Sequence, residues 1–200
     1  MTKDQLIAFE EGIAEEFNAG NIRYPVHLSS GNEDHLIDLF KRVRSQDWVF
    51  GTWRLHLHAL LKGVPPEELR AAIHRGESMA LSFEEQRVYG SAIVGGTIPI
   101  SLGTALSIKR RCVDEHVWLF VGDMAAESGI LHETIKYAEN FSLPLSVVIE
   151  DNAVSVCTDT RDAWGLNKPY TLNKSPDVMV IRYRYHSRFP HAGAGKRIQF

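Results

Sequence analysis

Apolar side chains recur at helical spacing through the first part of this chain. Leu6, Ile7, Phe9, Ile13 and Phe17 share one face of residues 4–18, acidic residues fill the spaces between them, and Gly20 stops the pattern. After a loop from Ile22 to Glu33, Asp34 is placed as the N-cap of a helix running through Leu36, Ile37, Leu39 and Phe40 to about Arg44. Residues 47–62 read as helical beyond Trp48-Val-Phe-Gly. Pro65 and Pro66 open another helix, with Glu67 and Glu68 in the first turn, where the helix dipole favours acids. Residues 82–96 hold neither period and read as a glycine-rich loop. From Thr97 to Lys109 the helical pattern returns, carrying Gly103, Ala105 and Ser107, small residues that let a backbone or a cofactor approach closely.

Beyond Lys109 the period changes. Short apolar runs at 117–121, 145–149 and 178–183 are bounded by turn residues, and a helical pattern occupies about 129–141. Strands alternating with helices over short loops predict an α/β fold with a mainly parallel sheet in three α/β/α layers, built from right-handed crossovers. The 200 residues are expected to form a single domain, with an N-terminal helical extension to about residue 62 and a core over about 63–185. The stretch His191-Ala-Gly-Ala-Gly-Lys reads as a mobile loop or an ordered arm.

Composition narrows the function classes. With 44% hydrophobic and 24% charged residues the chain is ordinary for a soluble globular protein, and a net charge of −3 supplies no attraction for nucleic acid or an anionic membrane. No apolar run approaches membrane-spanning length, and the polar start Met1-Thr-Lys-Asp-Gln-Leu is not a signal peptide. The two cysteines, Cys112 and Cys157, lack metal-ligand spacing and cannot build a disulfide framework, so a reduced cytoplasmic setting is expected.

Chemistry enters with Asp123 and Asn152. Each follows an apolar strand pattern, and 29 positions separate them, the length of one strand–helix–strand unit. Both side chains are therefore expected at the same carboxyl edge of the sheet, where α/β proteins bind phosphorylated cofactors. A carboxylate and an amide oxygen, completed by phosphate oxygens, suit a hard cation such as Mg²⁺. Asp123 alone would read equally well as a helix N-cap at a strand end; the pairing with Asn152 favours the metal.

The full segment, Gly122-Asp123-Met124 followed by Asp151-Asn152, resembles the signature of thiamine diphosphate enzymes, Gly-Asp-Gly and then Asn-Asn or Asp-Asn. Glu127, Gly129, Glu133, Ala138, Leu143 and Pro144 stand where the 2-oxo acid dehydrogenase first component, α subunit, has similar residues. Upstream, His27-Leu-Ser-Ser-Gly-Asn-Glu, Asp47-Trp-Val-Phe-Gly-Thr-Trp-Arg-Leu-His and Tyr89-Gly-Ser-Ala-Ile-Val-Gly-Gly resemble that family's active-site loop, its Tyr-Arg diphosphate stretch and its Gly-Ile-Val-Gly segment. Tyr183-Arg-Tyr-His-Ser resembles its Tyr-Arg histidine loop. The matches keep the family's order over residues 22–188.

The resemblance implies a transketolase-like diphosphate-binding domain that takes thiamine diphosphate and Mg²⁺. Asp123, Asn152 and the carbonyl of Val154 would be the protein ligands of the metal. Gly122, Met124 and Ala125 would form the turn over the diphosphate, Arg54 would hold that group, and Trp53 stands where the family has tyrosine. Val94, through its carbonyl, and Ile93 would face the cofactor rings. His27 and His186 would be catalytic, by proton transfer or by stabilising a bound 2-oxo acid. His56, His58 and His191 read as structural or solvated, although His56 stands where the family often has histidine.

The activity implied is decarboxylation of a 2-oxo acid with transfer of the acyl or aldehyde unit. The matching domain lacks the family's activating glutamate, which belongs to a pyrimidine-binding domain. A β-like partner subunit carrying that domain, an α2β2 assembly and a lipoyl acyltransferase as acceptor are therefore expected. Two competing expectations remain: a split transketolase-like subunit moving a ketol unit between sugars, and a non-catalytic cofactor-binding assembly subunit.

Overall fold

A computed structural model describes residues 1–166 and 178–195. In chain order the elements are α1 (Lys3–Asn18), α2 (Glu33–Phe40), β1 (Trp48–Gly51), α3 (His56–Leu61), α4 (Pro66–His74), β2 (Ser82–Phe83), β3 (Val88–Gly90), α5 (Thr97–Arg111), β4 (Val117–Gly122), α6 (Asp123–Ala126), α7 (Gly129–Asn140), β5 (Leu145–Asp151), β6 (Val154–Ser155), β7 (Thr158–Asp159), α8 (Thr160–Trp164) and β8 (Met179–Arg184). They fall into two compact units: Met1–Ser45, Trp53–Ala92 and Tyr185–Phe200 form the first, Gln46–Thr52 and Ile93–Arg184 the second.

The first unit is helical. Thr2 and Gln5 close a reciprocal capping box at the start of α1, and Leu6, Phe9, Ile13 and Phe17 are buried along one stripe, as the periodicity predicts. Pro66 opens α4, where a missing N–H costs nothing. Two expectations change here. Asn32, not Asp34, stands at the N-cap of α2 and makes no side-chain cap bond; Asp34 instead pairs with Lys3 across to α1. The helix ends at Phe40, short of Arg44, because Lys41 and Arg42 close it with tighter turn bonds to Asp38 and Leu39. Within the stretch read as loop, β2 and β3 form a small antiparallel hairpin, too short to show a period in the sequence.

The second unit carries the sheet. β1, β4, β5 and β8 run parallel in that order, confirming the α/β reading. All but one residue of β4 and every residue of β5 are buried, the mark of strands covered on both faces. Val117, Leu119 and Val121 of β4 and Leu145, Val147 and Ile149 of β5 share one face. They pack with Ile98, Ala105 and Ile108 of α5 and Leu131, Ile135 and Ala138 of α7 in one apolar cluster. The 117–121, 129–141 and 145–149 elements stand within a residue or two of their predicted bounds. Trp48–Gly51 is a strand on β4 where the sequence reads only the approach to a helix, since a four-residue apolar run shows no periodicity.

Candidate functional site

Parallel register places the candidate metal ligands abreast. Gly122 of β4 pairs with Glu150 of β5, so Asp123 and Asp151–Asn152 leave neighbouring strands at the same carboxyl edge. Asp123 begins α6, is 1% exposed, and accepts one side-chain hydrogen bond, from the Thr160 hydroxyl of α8. Burial pushes its carboxyl up from the usual carboxylate range; the Thr160 bond opposes that, and the negative charge of Asp151 reinforces it. Gly122 precedes it with extended backbone and open space where a side chain would sit, and Met124 and Ala125 follow in the same short helix.

Asn152 opens a tight turn. Its Oδ1 accepts the Val154 N–H at 3.2 Å, Asp151 Oδ1 accepts the Ala153 N–H at 3.0 Å, and Ala153 takes φ +64°, a left-handed conformation uncommon for a residue with a side chain. The Ala153 carbonyl is held by the Thr160 N–H at 3.0 Å. Val154 is 41% exposed. Among the described residues no three His, Cys, Asp or Glu side chains gather as a metal cage. The candidate donor set is instead one carboxylate, one amide oxygen and one backbone carbonyl, all hard oxygens, and the buried carboxylate makes no ion pair among the described residues, feeling Arg182 only through space. That chemistry fits Mg²⁺ with phosphate oxygens completing its shell.

The sequence reading quotes Asp151 and Arg184 only as members of family-like segments, and assigns no role to them or to Arg182. Asp151 is 2% exposed, and its Oδ2 accepts Nε of Arg182 at 2.9 Å and of Arg184 at 3.2 Å. Glu127 lies 3.5 Å from Arg182 Nη1. Two arginines two apart on a strand share a face, the one signal in the sequence that could have shown this cluster. Ile93 and Val94 are 73% and 62% exposed just ahead of α5, so their side chains are available at the surface of this unit.

His27, Trp53 and Arg54 lie in the first unit and come together there. The His27 ring centroid stands 6.0 Å from that of Trp53 and 5.0 Å from that of His191. Arg54 donates to the His191 carbonyl at 2.7 Å and lies 3.2 Å from His191 Nδ1, so His191 takes part in the cluster. His27 Nδ1 and Trp53 Nε1 are buried without a hydrogen-bond partner among the described residues. Such orphaned polar atoms suggest a ligand or a water beside them.

Burial, helped by the positive charges of Arg54, His191 and His56, lowers His27 to about 3. His27 is therefore neutral at pH 7 and acts there as a hydrogen-bond partner, not as an imidazolium. His186 is exposed, and its carbonyl presses on Gly31.

The depressed value has a stability consequence. Between pH 6.5 and 3 the unfolded chain takes up a proton at His27 that the folded chain refuses, so the stability present above pH 6.5 drains as the pH falls. At pH 4 the loss is about 3 kcal/mol. Urea unfolding at pH 7 and pH 4 is expected to show His27→Gln losing about 3 kcal/mol less than the wild-type chain across that interval. Parallel losses would assign the acid sensitivity elsewhere.

His56, read from the sequence as structural or solvated, proves wholly buried. Its Nδ1 meets Glu10 Oε1 at 3.3 Å and its Nε2 meets Ser78 Oγ at 2.9 Å, while Glu10 also accepts the Ser29 N–H at 2.9 Å. This network ties α1 and the start of α3 to the His27 loop.

Known proteins are similar to this chain in sequence. The model of the family described as "Dehydrogenase E1 component" matches residues 1–182. The α subunit of acetoin:2,6-dichlorophenolindophenol oxidoreductase from Cupriavidus necator is 30% identical over 164 residues, 77% of this chain and 49% of that protein. The pyruvate dehydrogenase E1 component subunit α of Rickettsia bellii is 29% identical over 187 residues, 86% of this chain and 57% of that protein. The chloroplastic pyruvate dehydrogenase E1 component subunit α-3 of Arabidopsis thaliana is 30% identical over 162 residues, 72% of this chain and 38% of that protein. The chain thus spans about half the length of these curated relatives. With the match covering nearly all of the described residues, the chain belongs to the dehydrogenase E1 component family.

Proposed function

We propose that this chain is the α-type subunit of a heteromeric enzyme that uses thiamine diphosphate and Mg²⁺ to decarboxylate a 2-oxo acid and pass on the acyl or aldehyde unit. The observation that carries the reading is the register of β4 against β5, which sets the buried Asp123 carboxylate beside the Asn152 turn. The relatives named as pyruvate dehydrogenase E1 component α subunits support a 2-oxo acid as the substrate.

Asp123, Asn152 and the Val154 carbonyl are assigned to the metal, and Gly122, Met124 and Ala125 to the turn over the diphosphate. Arg54 supplies charge-assisted hydrogen bonds to that diphosphate, and Trp53 offers an indole N–H where the family has a phenol. The Val94 carbonyl and the Ile93 side chain face the cofactor rings. Thiamine diphosphate, when bound, supplies the electron sink for decarboxylation; the protein binds, orients and excludes water. His27, held neutral, donates a hydrogen bond to the 2-oxo acid, and His186 is the second residue assigned to proton transfer or to holding that acid.

A β-like subunit completes the enzyme by contributing the activating glutamate of a pyrimidine-binding domain in an α2β2 assembly, with a lipoyl acyltransferase as the acceptor partner. The whole chain is assigned to one diphosphate-binding domain. No helix of the described residues is long and apolar enough to cross a membrane, and the exposed free thiols of Cys112 and Cys157 favour a reduced cytoplasmic location.

Titration calorimetry of the chain with its co-purifying subunit tests the reading. With the wild-type chain, thiamine diphosphate is expected to bind only with Mg²⁺ present, and Asn152→Ala is expected to weaken that Mg²⁺-dependent binding. Cation-independent binding, or none, overturns the metal assignment. Full turnover of 2-oxo acids by the chain alone overturns the shared-site assignment.

A further inference from the structure

The carboxyl ends of β4, β5 and β8 enclose a pocket lined by Asp123, Glu127, Asp151, Arg182 and Arg184 among others. It holds three arginines, Arg161, Arg182 and Arg184, the last two against Asp151, beside a carboxylate assigned to a cation. A guanidinium is the natural competitor of a divalent cation for Asp123, so something must hold the arginines elsewhere. Asp151 does this by geometry. Its Oδ2 takes Arg182 Nε and Nη2, each at 2.9 Å, and Arg184 Nε at 3.2 Å, while Oδ1 takes the Ala153 N–H at 3.0 Å. Three guanidinium nitrogens crowd Oδ2 and the turn N–H occupies Oδ1, which commits Asp151 to the arginines and the turn. Glu127 takes the remaining arm of Arg182, Nη1, at 3.5 Å.

Asp123 is the contrasting case. It lines the same pocket, accepts one hydroxyl donor from Thr160, and feels Arg182 only through space. We propose that Asp151, assisted by Glu127, is a positioning residue that holds Arg182 and Arg184 off Asp123 and so keeps the Asp123 carboxylate available to a divalent cation. This rests on the cation assignment made above. Without the Asp151 charge the two guanidinium groups lose their buried partner. Arg184, 59% exposed, can turn to water, whereas Arg182, 26% exposed, has only Glu127, which it already meets, and Asp123 as the remaining carboxylates of the pocket lining.

The test measures Mn²⁺ bound to the full chain, with whatever subunit co-purifies and with thiamine diphosphate present, from the loss of the free-ion electron paramagnetic resonance signal. Asp151→Asn keeps an oxygen for the Ala153 N–H and removes only the charge, and it is expected to weaken Mn²⁺ binding by at least about tenfold. Adding Arg182→Gln to Asp151→Asn is expected to recover most of that loss, because the competitor is gone. Arg182→Gln alone is expected to bind Mn²⁺ as tightly as the wild-type chain or more so.

Unchanged binding by Asp151→Asn overturns the proposal. A loss that Arg182→Gln does not relieve also overturns it, by showing that Asp151 acts through the turn. Should Asp151→Asn lose its far-ultraviolet circular dichroism, Arg182→Gln alone decides, weaker binding being the contrary result. A wild-type chain that takes up no Mn²⁺ overturns the cation assignment itself, and the guard role with it.

Discussion

Asp123→Asn is expected to abolish Mg²⁺-dependent binding of thiamine diphosphate while leaving the fold as stable as before, or more so. The carboxylate is 1% exposed, and burial already works against its charge. Its one side-chain bond is accepted from the Thr160 hydroxyl, which an amide oxygen accepts equally well. The substitution therefore sheds a desolvated charge without orphaning a donor, and no guanidinium of the described residues is left unpaired by it. What disappears is the anionic ligand. Losing it is expected to weaken cation binding by more than about 100-fold, beyond the effect of losing a supporting residue.

Calorimetric titration reads the affinity and scanning calorimetry reads Tm. Loss of binding with Tm unchanged or raised is the expected pair. A Tm fall on the scale of a core truncation, or retained binding, would mark the carboxylate as structural. Asn152→Ala is the less clean probe, because Asn152 Oδ1 also accepts the Val154 N–H that shapes the turn.

The second large effect lies in the His27 loop. Gly31→Ala is expected to destabilise the chain by about 3 kcal/mol, from a left-handed backbone cost and overpacking together. Gly31 has φ +92°, and a Cβ there would stand 2.2 Å from the His186 carbonyl oxygen, a backbone atom that cannot swing aside. Its N–H donates to both oxygens of Glu33, at 3.0 and 2.9 Å, and Arg188 pairs with the same carboxylate at 2.9 Å.

Gly63 is the internal control. Its φ is +99°, yet a Cβ there meets nothing within 4 Å. Gly63→Ala is expected to cost only the backbone share, about 1 kcal/mol. Urea unfolding of both variants isolates the steric part, and equal losses would show that the 186–188 segment yields to the added methyl. Because the same loop carries His27, Gly31→Ala is also expected to disturb the His27–Trp53 ring contact, readable in the indole fluorescence.

Much of the fold was legible because long apolar runs leave few choices. β4 and β5 are buried on both faces, so they read as unbroken Val, Ile, Leu and Phe, and the helix between them keeps a clear 3.6-residue stripe. β1 and the β2–β3 hairpin were not legible. Strands of two to four residues carry no measurable period, and what makes β1 a strand is its pairing with β4, a contact distant in sequence. The Asp34 cap failed for a related reason: its local pattern is right, but Lys3 of another helix claims the side chain.

By itself the sequence determined the α/β alternation, the two ligand-bearing strand ends 29 positions apart and the family they resemble, since each depends on local pattern and spacing. Only the tertiary structure decided that Asp151 is paired with Arg182 and Arg184 while Asp123 is left to one hydroxyl. It alone set His27 among Trp53, Arg54 and His191, where burial holds it near 3. Protonation and pairing depend on distance and dielectric between groups far apart in the chain, and no spacing along a sequence encodes either.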